Sequence, residues 1–355
     1  SDVCSSDLPM PVNETLAAAG DDASLSAQQQ HDTLLDIDDV IGKRIVSTEL
    51  RQNVTIRAEN AAAGLEVMSR FAADPRWLIY LPPTMSPCET SERADLLEHP
   101  AEAFDYYRYR GVPSVVCQQK HMGSRAVLVV CRDAETARTR FGVEVEEQGA
   151  LGVCVTRTGR PFFSDSSLEA SLLAQVRETI AAAGLWDELS SGWLVLDAEL
   201  MPWSAKAQGL LRDQYAAVGS AASAMLHAAG PLLATAAANG RDVSELQSRV
   251  AQRAQMVEAY TTAYSGYCWD VAGIDDLRLA PFHLLASESG VHTDRDHRWH
   301  MQAIARLAEA DSSQLLQATE WREVDVTDTA SRDAGTAWWE QLTSSGGEGM
   351  VAADL

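Results

Sequence analysis

The sequence predicts an α+β core with a helical insertion. Three observations carry this. Short apolar runs with strand character, above all Ala126–Cys131 and Trp193–Leu200, share the first half of the chain with an amphipathic helical stretch at about 167–184. From about 208 to 264 the chain turns Ala-rich and strand-poor. Mixed strand and helix patterns then return. At 355 residues the chain is long enough to bury a sizeable core.

The elements follow in order. Residues 1–33 read as a linker or frayed start, with 1–8 resembling a non-native scar. Lys43–Leu50 and Asn53–Glu59 read as a strand pair, and 59–72 as a helix with Leu65, Met68 and Ala72 on one face. Trp77–Leu81 reads as a short apolar strand stopped by Pro82-Pro83, and Ala101–Tyr109 as a short helix. Strands are expected at Pro113–Gln119, Arg125–Arg132, Leu151–Thr156 and Trp193–Leu200; Ala126–Cys131 is apolar throughout, as in a strand buried on both faces. Two or more helices, broken at Gly230-Pro231 and Gly240, fill 208–264. A helix at 299–309, a strand at Glu320–Val326 and a helix at 329–343 close the pattern. The expected organisation is a core over 34–207, a helical module over 208–290 and a return to the core over 291–355.

Composition narrows the function. With 28 Lys+Arg against 51 Asp+Glu the formal net charge is −23, so general nucleic-acid coating is excluded and any polyanion site must be a local basic patch. Hydrophobic residues at 46% exclude wholesale disorder. No unbroken run of ~18 apolar residues predicts a membrane span, and the start lacks a secretory pattern. The six cysteines (Cys4, Cys88, Cys117, Cys131, Cys154 and Cys268) contain no CxxC, and three lie in strand-like runs. They read as buried free thiols of a cytoplasmic protein. Of the 28 basic residues only Lys43, Lys120 and Lys206 are lysine. A GC-rich genome explains the arginines, but a retained lysine is a candidate for nucleophilic work that an always-protonated guanidinium cannot do.

Three segments carry chemistry. In Cys117–Ala126, Lys120 ends one strand, Gly123 permits a tight turn and Arg125 opens the next strand, so an amine and a guanidinium stand at the mouth of a sheet. In Trp193–Ala207, Asp197 and Glu199 share one strand face, with Lys206 beyond. In Glu348-Gly349-Met350-Val351 a carboxylate leads into an apolar strand.

Lys120-x-x-Gly123-x-Arg125 resembles motif I of the covalent nucleotidyltransferases, the DNA and RNA ligases and mRNA capping enzymes. Asp197-Ala198-Glu199-Leu200 resembles their motif III and Glu348–Val351 the start of motif IV. The fuller wording is similar to the ligase (adenylyltransferase) domain of bacterial polynucleotide kinase–phosphatase. It comprises Lys120–Ala126, Glu199–Lys206, Glu66–Phe71, Leu81–Pro87, His292–Met301 and Ala337-Trp338-Trp339. The resemblance runs from about 34 to 351. It implies a nucleotidyltransferase (ATP-grasp/DNA-ligase-like) core of antiparallel sheets flanked by helices, with an inserted helical module. It further implies that Lys120 attacks the ATP α-phosphate to form lysyl-AMP. AMP then passes to a 5′-phosphate RNA end, and a 3′-OH seals the strand. Implied with these are nucleotide contacts at Lys120, Arg125, Glu199 and Glu348, and Mg²⁺ (or Mn²⁺) on Glu199 and Glu348. Lys206 is an implied phosphate contact or helix-dipole partner. The implied partners are a 3′-terminal RNA ribose 2′-O-methyltransferase and upstream kinase and phosphatase domains.

Bland readings stand beside these. Where motif IV carries a lysine two residues after Val351, this chain has Ala353, and the lysines of motif V have no counterpart. The alternative function is therefore a truncated, inactive remnant that binds ATP or a partner. Asp197 and Glu199 could be solvated strand-end carboxylates. The segment His292, Asp294, Asp296, His297 and His300 admits a metal-dependent hydrolase. Its spacing fits no standard ligand set, which favours hydrogen-bonded packing or an RNA-facing strip. Trp338 and Trp339 read as helix core rather than base-stacking platforms.

Overall fold

A computed structural model describes residues 42–47, 51–82, 90–94, 96–145, 149–203, 205 and 216–354. The chain divides into two compact units, Ser1–Phe71 and Ala72–Leu355. In the first, β1 (Arg44–Val46) pairs antiparallel with β2 (Val54–Ile56), and α1 (Ala58–Phe71) follows.

The second unit is built on two antiparallel sheets. The larger has five strands, β4 (Ser124–Cys131), β5 (Gly152–Thr156), β6 (Trp193–Met201), β7 (Arg278–Ser287) and β8 (Gly290–Val291), in the order β5-β4-β6-β7-β8. The strands β4 and β6 bury residues on both faces because helices cover one side and a satellite cluster the other. On one face Ala126, Leu128, Val130, Leu194, Leu196 and Leu200 pack with Leu172, Leu173, Val176 and Ile180 of α4 (Ser166–Ala182). The opposite face, with Val127, Val129, Cys131 and Val195, packs on Trp77 and on Phe141 of α3 (Ala134–Phe141). Asp133 and Asp165 cap α3 and α4 by accepting from first-turn amides.

The smaller sheet orders β3 (Ser114–Gln119), β9 (Trp321–Asp325) and β10 (Met350–Asp354) as β10-β3-β9. Its core is Val115, Cys117 and Val324, closed by Phe104 of α2 (Pro100–Tyr109) and Trp338 of α9 (Thr329–Ser344). Trp338 is thus a core residue, as expected. Helix α8 (His297–Ala310) packs on β7 and α4. It also reaches the smaller sheet, where Arg298 forks onto Glu323 at 2.6 and 2.8 Å. Short α5 (Leu185–Glu188) precedes β6.

Between β6 and β7 stands a helical hairpin, α6 (Ala217–Ala238) packed on α7 (Ser244–Ser265). Cys117, Cys131 and Cys154 are buried free thiols inside strands, as expected.

Three expectations need correction, and one further feature bears on the apolar runs. Trp77–Leu81 is not a strand: Pro75–Trp77 is a 3-10 turn whose cap, Asp74, accepts from the Arg76 amide, and Trp77 turns inward onto Phe141. Helix α6 runs through Gly230-Pro231 instead of breaking there, because its Ala-rich surroundings favour helix strongly enough to tolerate one missing amide; the break at Gly240, with φ +77°, is formed. The helical module is not helical to residue 290, since β7 already belongs to the larger sheet. Finally, α6 is long and apolar enough to cross a membrane by length and composition, although only 11% of its most apolar window is buried. Scattered Ser, Thr and His interrupt an unbroken run, but no charged residue falls within the helix.

Candidate active site

The junction between the two sheets gathers the residues singled out by sequence. Lys120 follows β3 directly. Its backbone is held from both sides: Gln119 N–H donates to Glu320 O at 2.8 Å and Lys120 N–H to Gly349 O at 2.9 Å. The chain then turns through Gly123 into β4. A Cβ at Gly123 would sit 2.4 Å from the Leu200 carbonyl oxygen, so only glycine allows the turn to lie against β6.

Strand register places the rest. Arg125 on β4 lies opposite Glu199 on β6, and Val127 opposite Asp197, so Arg125, Asp197 and Glu199 share one face, as alternation predicted for the two carboxylates. Arg125 binds Asp197 through a fork, Nε to Oδ1 at 2.9 Å and Nη2 to Oδ2 at 2.5 Å. Asp197 is fully buried. Burial pushes its carboxyl up, against the pull of the guanidinium, while the same bond holds Arg125 above its ordinary value. The two-pronged geometry is that of an ion pair, and Asp197 acts by fixing Arg125.

Glu199 accepts from the Gly123 N–H at 3.1 Å. Burial pushes its carboxyl up to about 7; the Gly123 bond opposes this and the charge of Glu348 adds to it. Glu348, in the turn before β10, accepts a hydrogen bond and ion pair from Lys120 Nζ. Lys120, Arg125, Glu199, Asp197 and Glu348 therefore meet at one sheet mouth. Lys206 lies outside the described residues.

The donor set fits a nucleotide-bound divalent cation. Two hard-oxygen carboxylates stand close enough for one to disfavour ionisation of the other, and Mg²⁺ is usually held by one or two carboxylates plus substrate phosphates. Among the described residues, no three His, Cys, Asp or Glu side chains gather to hold a metal by themselves. His292, His297 and His300 are buried; His297 Nε2 lies 2.9 Å from Gln118 Oε1 and His300 Nε2 3.2 Å from the His292 carbonyl oxygen.

Sequence reasoning missed β7 and what it brings. The β6–β7 register skips one residue between His283 and Pro281, a bulge that leaves Phe282 unpaired. Its ring stands 5.7 Å from the Arg125 guanidinium carbon. The apolar stretches on either side of His283 were the available signal.

Antiparallel sheets, helical flanks and a strand-ending lysine opposite paired carboxylates define a nucleotidyltransferase fold. The chain belongs to the PNKP adenylyltransferase (ligase) domain family, whose sequence profile matches residues 63–355. Two solved structures share the fold. One is a Pnkp1/Rnl/Hen1 complex, 16% identical, with TM-score 0.52 over 77% of this chain and 71% of that one. The other is a Pnkp1/Rnl/Hen1 RNA repair complex, also 16% identical, with TM-score 0.50 over 79% and 72%. A search of curated proteins finds no match.

Proposed function

We propose that this chain is the adenylyltransferase of an RNA-repair ligase, with Lys120 as nucleophile. The observation that carries the reading is Lys120 at the sheet mouth, bonded to Glu348 and joined by the Gly123 turn to the strand on which Arg125 lies opposite Glu199. Attack on phosphorus needs a lone pair on Nζ, so Nζ first gives up one proton to solvent. Nζ then forms a bond to the ATP α-phosphorus as the bond to the departing pyrophosphate breaks, which gives lysyl-AMP. Phosphoryl transfer of this kind is mainly positioning and charge stabilisation. Arg125, oriented by Asp197, supplies fixed positive charge for phosphate or ribose oxygens. The ring of Phe282 offers an apolar face for the base. Glu199 and Glu348 would hold Mg²⁺ or Mn²⁺, which supplies charge neutralisation on the phosphates.

AMP passes next to a 5′-phosphate RNA end, and a 3′-OH attacks to seal. Family membership supports this substrate class. It also supports a 2′-O-methyltransferase partner and kinase and phosphatase domains elsewhere in the parent protein. One observation favours the inactive alternative: position 353, where the family carries lysine, is an alanine of β10 opposite Val116.

Incubation with α-³²P-labelled ATP and Mg²⁺, followed by a denaturing gel, separates the two readings. Label on the wild type and none on Lys120→Ala is expected. Folded wild-type protein that takes no label overturns the enzyme reading, and thermal stabilisation by ATP without label supports the remnant.

A further inference from the structure

Behind the sheet mouth runs a chain of polar side chains, buried at Gln118 and His297 and half-buried at His283, that the proposed chemistry does not use. Gln118 lies in the last pair of β3 residues before the turn, two positions ahead of Lys120, which follows the strand directly. Gln118 is buried, and its Oε1 lies 2.9 Å from His297 Nε2 in the first turn of α8. His297 Nδ1 lies 3.2 Å from His283 Nε2 on β7. His283 in turn is directly opposite Asp197, the carboxylate that grips Arg125.

The chain of bonds closes with both rings neutral in either orientation of the Gln118 amide. With the Gln118 carbonyl as acceptor, His297 carries its proton on Nε2 and leaves Nδ1 as acceptor. His283 then donates from Nε2. With the amide nitrogen as donor, both rings carry Nδ1–H instead. Both rings are neutral, in keeping with burial, which pushes His283 down to about 3 and lowers His297 as well. A polar chain with every link satisfied has few alternative geometries, whereas apolar packing tolerates sliding.

We infer that Gln118, His297 and His283 form a positioning strut that sets the separation between the strand end bearing Lys120 and the strand bearing Asp197. The inference rests on Lys120 being the nucleophile, as proposed above. The two halves of the site lie on different sheets, joined directly by the short turn 120–123. The Lys120–Glu348 pair cannot set their spacing, because Glu348 leads into β10 of the same sheet as β3. The strut bridges the two sheets beneath the mouth and shares α8 with the Arg298–Glu323 fork. Misplacement of reacting atoms by about 1 Å can cost ~100-fold in rate, so a strut of this kind controls rate more than binding.

The test is single-turnover lysyl-AMP formation by the full chain, over a range of ATP concentrations, in wild type, Gln118→Leu, His297→Phe and Gln118→Glu. Gln118→Leu and His297→Phe should slow adduct formation at saturating ATP by roughly 10- to 100-fold. The half-saturating ATP concentration should move by less than about 3-fold, and the final labelled fraction should hold. Gln118→Glu keeps an acceptor for His297 and should recover most of the rate. Folded Gln118→Leu with the wild-type rate overturns the strut, as does a loss confined to the labelled fraction. No label on the wild type overturns the nucleophile and the strut together; label on the wild type with unaltered variants overturns the strut alone. Should the substituted chains fail to fold, ¹⁵N NMR of the wild-type imidazoles decides. Neutral rings of the same tautomer at 283 and 297 are expected, both Nε2–H or both Nδ1–H, and a cationic ring or one ring of each tautomer overturns the chain of bonds.

Discussion

Strand β6 and helix α6 are both apolar, and they end in opposite environments. In β6 nearly every side chain from Leu194 to Met201 is buried. In α6 only Gly219 and Leu226 are buried, while Val218, Met225 and Leu232 stand exposed. The difference lies in the backbone. A strand has unpaired amides and carbonyls until neighbours supply partners, so β6 must lie between β4 and β7. A helix satisfies its own interior backbone and can stand outside a core on Ala-rich propensity and one packed neighbour. Apolar composition alone does not tell burial; the element type decides whether burial is compulsory.

Truncation breaks or upholds this contrast most directly. Leu196→Ala, at a fully buried position facing α4, should cost about 2–5 kcal/mol in urea unfolding. Leu232→Ala, at 70% exposure, should stay within about 0.5 kcal/mol. Equal costs at the two positions would mean that α6 is covered by protein in solution.

The same logic explains what the sequence disclosed. Strand β4 was legible because two-sided burial leaves the run Ala126–Cys131 with no polar interruption, and β3 and β6 because each opens on an uninterrupted apolar run, Val115–Cys117 and Trp193–Leu196. Strand β7 was not, because Pro281 and His283 interrupt it. Both are accommodated by long-range structure: Pro281 flanks the bulge, and His283 bonds to His297 on another element. Within the site, the shared face of Asp197 and Glu199 follows from alternation alone. The meeting of Lys120 with Glu348 spans 228 residues and came from family wording, since no local periodicity encodes it. Phe282 was hidden because a bulge, not a pattern, aims it at Arg125.

The sheet mouth sharpens the comparison, because there burial works against stability. Glu199 has its carboxyl raised from about 4.5 to about 7. Below pH ~4.5 folded and unfolded chains both hold the proton. Between ~4.5 and ~7 the folded chain keeps it while the unfolded chain releases it, so this contribution to stability is lost as pH rises through that window. The total is up to about 3 kcal/mol. Glu199→Gln keeps an acceptor for the Gly123 amide and removes the titration. It should therefore stabilise the chain at pH 8 while changing little at pH 4.5, read by urea melts at the two values. Loss of stability at pH 8 would mean that the ionised carboxylate is satisfied in the free protein.

The smallest effect on global stability belongs to Pro231, inside α6. A proline in a helix interior is about 3 kcal/mol less favourable than alanine, because it lacks the amide and crowds the preceding turn. Pro231→Ala should slow amide hydrogen exchange across α6 by roughly 10- to 100-fold, by raising the free energy of local opening. Exchange in β6 reports opening of the sheet and should not change, and the urea midpoint should shift negligibly. The argument depends on the hairpin opening separately from the sheets, as its shallow burial requires. If the substitution slows exchange in α6 and β6 together and raises the midpoint, the hairpin and the sheets open as one cooperative unit. The contrast between compulsory and optional burial then fails at the level of the whole molecule.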